Sequence, residues 1–79
     1  MTNLTKYKNA FMEALGIEEG ALTGLKYQDV PEWDSVGHMG MITLIEDAFD
    51  IMMEIDDIID FSSFEKGMEI LAKYGVDIS

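Results

Sequence analysis

The sequence predicts a small all-α protein, with three main helices, one short helix and a long first loop in a single domain over residues 1–79. Three observations predict it. Apolar residues recur at three- and four-residue spacing in three separate stretches, the pattern of helices that each bury one face. Gly16, Gly20, Gly24 and the only proline, Pro31, concentrate in residues 16–34, where they break any regular element. Finally, 79 residues without a Cys have neither disulfides nor thiolate metal sites to staple them. One apolar core must hold the chain, and below roughly 80 residues such a core seldom supplies more than about 3–5 kcal/mol. A hydrophobic content of 48% is enough for that core and too little for a deep catalytic cleft with its own supporting shell.

Leu4, Tyr7, Phe11 and Leu15, with Ala14 beside them, place the first helix over about residues 3–15, and Gly16 supplies a C-terminal stop. Residues 16–34 form a connection long enough to suggest a functional role. Ile17, Leu22, Leu25, Tyr27 and Val30 are its expected anchors on the core. Asp34 is a good N-cap, and Met41, Ile42, Ile45 and Phe49 share a face of a second helix over about 35–49. Gly37 and Gly40 fall inside that helix, each costing roughly 1 kcal/mol relative to Ala. Met53 and Ile55 read as extended or loop-like, and Asp56 as the cap of a short helix over 57–60. Ser62 and Glu65 have the form of a capping box opening a last helix over about 63–74, with Phe64, Met68 and Leu71 inward and Gly75 as its stop.

Sixteen acidic residues stand against five Lys and no Arg, a net charge of −11, and residues 27–65 contain no Lys or Arg at all. Nucleic-acid binding requires cations that neutralise phosphates, so it is not expected. Anionic membrane surfaces are disfavoured for the same reason. A field of this sign steers the protein towards basic surfaces on partner proteins. No segment approaches the roughly 20 apolar residues of a membrane span. The opening Met1-Thr2-Asn3-Leu4-Thr5-Lys6 lacks the apolar region of a signal peptide. A soluble, cytoplasmic monomer without stable membrane insertion is the expectation.

Ser35 is the residue most conspicuous by position. It follows Trp33-Asp34, opens the most regular apolar pattern in the chain and lies within the cation-free stretch. With His38 three residues on, Asp34 and Ser35 invite a nucleophile–base reading. No orienting group or oxyanion hole accompanies them, and an exposed helix start does not exclude water. His38 is better read as a structural or interface residue, and the protein as a non-enzyme. The acidic run from Glu46 to Asp60 lacks the central Gly and alternating ligands of a calcium loop, so no metal site is expected. Met41, Met53 and Met68 read as core filling, whereas Met39 sits beside Gly40 one turn from Ser35. Two readings of Ser35 remain. It is a capping serine, or it carries a phosphodiester, which a helix N-terminus favours.

At Asp34-Ser35-Val36 the chain resembles the acyl carrier proteins, a family that includes peptidyl and D-alanyl carriers. The resemblance continues through Glu46-Asp47-Ala48-Phe49-Asp50, Met53, the short helix, Phe61, Ser62-Ser63-Phe64 and the last helix, covering about residues 31–74. It implies a four-helix carrier bundle whose Ser35 receives a 4′-phosphopantetheine arm from coenzyme A through a phosphopantetheinyl transferase. The arm's thiol would hold an acyl or aminoacyl group as a thioester. Asp34 would belong to the surface that the transferase recognises. Val36, Gly37, Met39, Gly40, Glu46 and Asp47 would dock a loading ligase and a downstream acyltransferase or synthase. Met41, Ile42, Ile45, Ile58 and Met68 would line a pocket that opens to shelter the acyl chain. In fatty-acid carriers the positions of Gly37 and Gly40 are commonly acidic. The run Trp33-Asp34-Ser35-Val36-Gly37-His38-Met39 is more similar to stand-alone carriers of specialised systems, such as surface-polysaccharide or amino-acid-activating ones. The two glycines would then admit a partner's backbone at close range. The alternative from another class is an acidic interaction module, an inhibitor or nucleic-acid mimic that presents carboxylates to a basic partner.

Overall fold

A computed structural model describes residues 2–78, in which four α-helices follow one another: α1 Asn3–Leu15, α2 Ser35–Phe49, α3 Ile55–Asp60 and α4 Phe64–Ala72. The small all-α bundle expected from the periodicity is what forms. The bounds of α1 and α2 fall where the apolar spacing puts them. Thr2 caps α1, its side chain accepting from the Thr5 N–H at 3.1 Å, and Gly16 ends the helix in the left-handed region at φ 65°. That conformation suits a residue without Cβ. α1 turns Tyr7, Ala10, Phe11 and Leu15 inward, and α2 packs Met41, Ile42 and Ile45 against it.

The connection over residues 16–34 is part of the core. It holds a 3-10 turn, Glu19–Ala21, that periodicity did not foreshadow. It buries Leu22, Leu25 and Trp33, leaving Ile17 and Val30 half-buried and Tyr27 at the surface edge. An isolated antiparallel bridge pairs Lys26 with Ser63. There Tyr27 N–H donates to the Ser62 carbonyl and Phe64 N–H to the Leu25 carbonyl, both at 2.9 Å. The first loop is thus stapled to the start of α4 by main-chain hydrogen bonds, which satisfy groups that burial would otherwise strand.

Both of the last two helices depart from expectation, and at α4 the departure lies at the bridge. Ser63, the residue the bridge pairs with Lys26, is the N-cap of α4 and accepts from the Lys66 N–H at 2.9 Å, which leaves Ser62 outside the helix. Glu65 does not fold back on its own helix; its carboxylate accepts from the Gly24 N–H at 3.1 Å, a third tie to the loop. The inward face of α4 is Phe64, Gly67, Ile70 and Leu71, with Met68 only half-buried. α3 starts at Ile55, not after Asp56. Asp56 and Asp57 lie in its first turn, where carboxylates meet the positive end of the helix dipole. Met53 remains in the connection and is buried.

Five aromatic rings fill the centre. Phe11 meets Trp33 edge-on at 5.5 Å and 88°, Phe64 at 5.1 Å and Tyr7 at 5.0 Å, and Phe61 packs on Tyr7 and Phe11. Offset and edge-to-face contacts of this kind add to the burial of the rings themselves. The Tyr7 hydroxyl donates to the Phe64 carbonyl at 2.7 Å. Burial, with the negative charge of Glu65 second, pushes the phenol well above its usual range. Gly67 is the helix position facing this cluster. A Cβ there would come within 2.1 Å of Tyr7 Oη and 2.2 Å of Phe61 Cζ, so the rings exclude any side chain.

At the other end, Lys73 and the Tyr74 hydroxyl both donate to the buried carboxylate of Asp57, and Tyr74 Oη accepts from the Glu54 N–H at 2.9 Å. These bonds fasten the start of α3 to the chain just beyond α4. No helix among the described residues is long and apolar enough to cross a membrane. The Asp57 carboxyl is held below the usual carboxylate range, first by Lys73 and next by Tyr74, against the opposing effect of burial. A carboxyl lowered in the folded state contributes stability above its unfolded value and loses it as pH falls through the folded one. Asp57→Asn should therefore lower the melting temperature at neutral pH and reduce its further fall below the carboxylate range. Equal neutral-pH melting temperatures for variant and parent would dismiss this network as a stabilising element.

Candidate functional site

The start of α2 is built by Asp34. Its backbone is extended, its carbonyl accepts from the His38 N–H at 2.8 Å, and its carboxylate accepts from the Gly37 N–H at 2.8 Å. Asp34 is therefore the N-cap, and Ser35 is the first helical residue. The capping role at this helix is thus taken by Asp34. The Ser35 side chain is exposed, and among the described residues its hydroxyl has no hydrogen-bond partner. A hydroxyl that contributes nothing to the cap is available to outside chemistry at the positive end of a 15-residue helix.

Gly37 has a reason inside the chain. A Cβ on it would sit 2.0 Å from the Glu32 carbonyl oxygen, so the connection passes over the first turn of α2 only because this residue lacks a side chain. Of the two glycines expected to admit a partner, Gly37 is already occupied by the chain's own backbone. Gly40 is different: it is exposed, and a Cβ there would meet nothing within 4 Å. Val36 and Met39 flank it with 79% and 51% of their surface exposed. The rim beyond Ser35 is thus small, apolar and open at Val36, Met39 and Gly40.

A groove of about 320 Å³ opens beside Ser35. Its walls are Ser35, His38 and Met39 of α2, Ile58 and Ile59 of α3, and Tyr27 and Phe61 from the connections. The lining carries no carboxylate, Lys or Arg, despite the acidity of the chain. Of the five residues expected to line an acyl pocket, Ile58 alone faces this groove. Met41, Ile42 and Ile45 are sealed in the core, and Met68 is half-buried on α4 away from it. The docking residues also divide. Asp47 is exposed, but Glu46 is half-buried and its carboxylate accepts from the Met53 N–H at 2.8 Å, shaping the turn after α2.

Two features of the site are not legible in spacing. Trp33, which enters the sequence reading only as part of a motif, is completely buried. Its indole N–H donates to His38 Nδ1 at 2.9 Å, while His38 Nε2 lies 2.8 Å from the Ile58 carbonyl. The only signal was compositional, since a lone Trp in a Gly/Pro-rich loop with a lone His five residues on is a donor looking for an acceptor. The second is α3, whose exposed Ile55 and Ile59, at 74% and 71%, extend the apolar rim away from Ser35.

The two glycines give a direct contrast. Ala at Gly37 gains about 1 kcal/mol in helix propensity but must displace the Glu32 carbonyl, an overpacking that costs typically about 1–3 kcal/mol. Gly37→Ala should therefore lower the urea midpoint, and Gly40→Ala should raise it. The reverse order would remove the Glu32 contact as the reason for Gly37. No known protein family, curated protein or solved structure matches the chain.

Proposed function

We propose that this protein is a stand-alone carrier that holds an acyl or aminoacyl group on a 4′-phosphopantetheine arm attached to Ser35. The observation that carries the reading is the division of labour at the start of α2. Asp34 alone caps the helix, leaving Ser35 exposed and unpartnered beside an apolar groove. The residues present fit such a group. A phosphodiester on Ser35 Oγ would lie at the N-terminal end of α2, where the helix dipole favours negative charge. Tyr27, Met39 and Ile59 offer the uncharged methylene portion of the arm an apolar surface next to its root. The arm supplies a thiol for thioester chemistry to a chain that has no Cys.

The chain itself performs no catalysis in this reading; it positions and presents. A phosphopantetheinyl transferase would recognise Asp34 together with the exposed first turn. A loading ligase and a downstream acyltransferase or synthase would meet Val36, Met39, Gly40 and Asp47. The cation-free surface steers basic partners to that side. The specialised, non-housekeeping character rests on Val36, Met39 and Gly40, where charge is replaced by small apolar contacts.

An acidic interaction module is the second reading. It is favoured by the same net charge of −11 and by the exposed Met52, Ile55 and Ile59, and it gives Ser35 no role. Incubation with coenzyme A and a broad-specificity phosphopantetheinyl transferase, followed by intact-mass measurement, separates the two. The expected result is one added arm, lost in Ser35→Ala. No addition to the folded protein would leave the interaction module as the better account. Gly40→Glu should be modified normally yet load more slowly with its ligase, while unchanged loading would show that the open glycine is not a docking point.

A further inference from the structure

We propose that His38 is a positioning residue that latches α3 against the start of α2, and that the latch holds only while its imidazole is neutral. The donor and acceptor inventory assigns the proton. An indole N–H can only donate, so the His38 Nδ1 that receives the Trp33 N–H at 2.9 Å carries no hydrogen. In a neutral ring the proton is then on Nε2, which donates to the Ile58 carbonyl at 2.8 Å. Both ring nitrogens are satisfied in this one tautomer. An imidazolium would set N–H against N–H at Nδ1. Trp33 has 0% of its surface exposed, so water offers its indole no alternative acceptor.

The latch acts on the part of the fold least able to hold itself. α3 has six residues, too few to be stable without tertiary contacts. The Ile58 carbonyl also receives the Phe61 N–H, but at 3.4 Å; the bond from His38 is the shorter one. The ring is nearly coplanar with Trp33, at 16°, as their edge-to-edge hydrogen bond requires, and it meets Tyr27 and Phe61 edge-on at 5.6 and 6.0 Å. Because Ile58 and Ile59 form one wall of the groove, the His38–Ile58 bond sets the groove's width beside Ser35. The inference stands on this geometry and does not depend on Ser35 being an attachment site.

The elements around the ring carry Tyr27, Asp29, Glu32 and Asp34 on the connection and cap, and Asp56, Asp57 and Asp60 on α3; α2 has no acid before Glu46. No Lys or Arg lies in residues 27–65, and the Lys73 that reaches α3 is engaged by Asp57. Lys73 and then Tyr74 hold the Asp57 carboxyl below the usual carboxylate range, which lies below the ordinary range of imidazoles in general. Its loss is therefore distinguishable from that of the latch.

The test follows the full chain by NMR as pH is lowered. Three probes are read together: the His38 ring nitrogens, the Trp33 indole N–H and hydrogen exchange at residues 58–61. The expected result is an Nε2-protonated ring at neutral pH. On acidification all three probes should change with one shared midpoint. Exchange at 58–61 should rise roughly tenfold, the factor that losing one hydrogen bond gives, while α1 keeps its protection. Trp33→Phe removes the donor that forbids a proton on Nδ1, so His38 keeps its bond to Ile58 and the pH response of α3 should disappear. His38→Gln, which retains an N–H for Ile58, should also show no transition. A ring that titrates while Trp33 and residues 58–61 stay unchanged would overturn the proposal. So would a response at 58–61 that persists in His38→Gln.

Discussion

The burial of Trp33 is the constraint from which most of this structure follows. It is the largest side chain in the core, and it comes from a connection, not from a helix. Its ring closes on Phe11 at 88°, which draws residues 16–34 down onto α1 and makes the loop one wall of the bundle. An indole is buried at low cost only if its N–H finds an acceptor. The acceptor is His38, and an imidazole that accepts on one nitrogen must donate from the other. The Ile58 carbonyl receives that donation. One buried ring thereby fixes the relation among the first loop, α2 and α3.

The same rule of satisfaction holds elsewhere. Among the described residues no buried side-chain polar atom lacks a partner. Tyr7 spends its hydroxyl on the Phe64 carbonyl, Glu46 its carboxylate on the turn after α2, and Asp57 its carboxylate on Lys73 and Tyr74. These bonds matter in a chain of net charge −11, where like charges repel across a small surface. Against this background the unpartnered Ser35 hydroxyl and the open rim of Val36, Met39 and Ile59 stand apart. They are groups the fold does not use, gathered at one end of α2 and the neighbouring face of α3.

Much of this was legible in the chain. α1 and α2 could be bounded because each has an apolar period and a capping residue whose chemistry acts within four positions: Asp34 ahead of α2 and Gly16 after α1. The last two helices were read one or two residues out of place. Distant partners meet them at their starts: Tyr27 at Ser62 and Gly24 at Glu65 for α4, and Tyr74 at Glu54 for α3. The serine that caps α4, Ser63, is also the residue that the bridge pairs with Lys26.

The sequence alone determined the helical class, the acidic field and the serine at the head of α2. Each of these is a matter of composition or of interactions within a helical turn. Only the tertiary structure decided the rest. It sealed Met41, Ile42 and Ile45 in the core, gave Gly37 to the Glu32 carbonyl and left Gly40 open, and set His38 between Trp33 and Ile58. The physical reason is common to all three. Spacing fixes the face of a helix on which a side chain lies, but its contacts depend on what the connection and the other helices bring against that face.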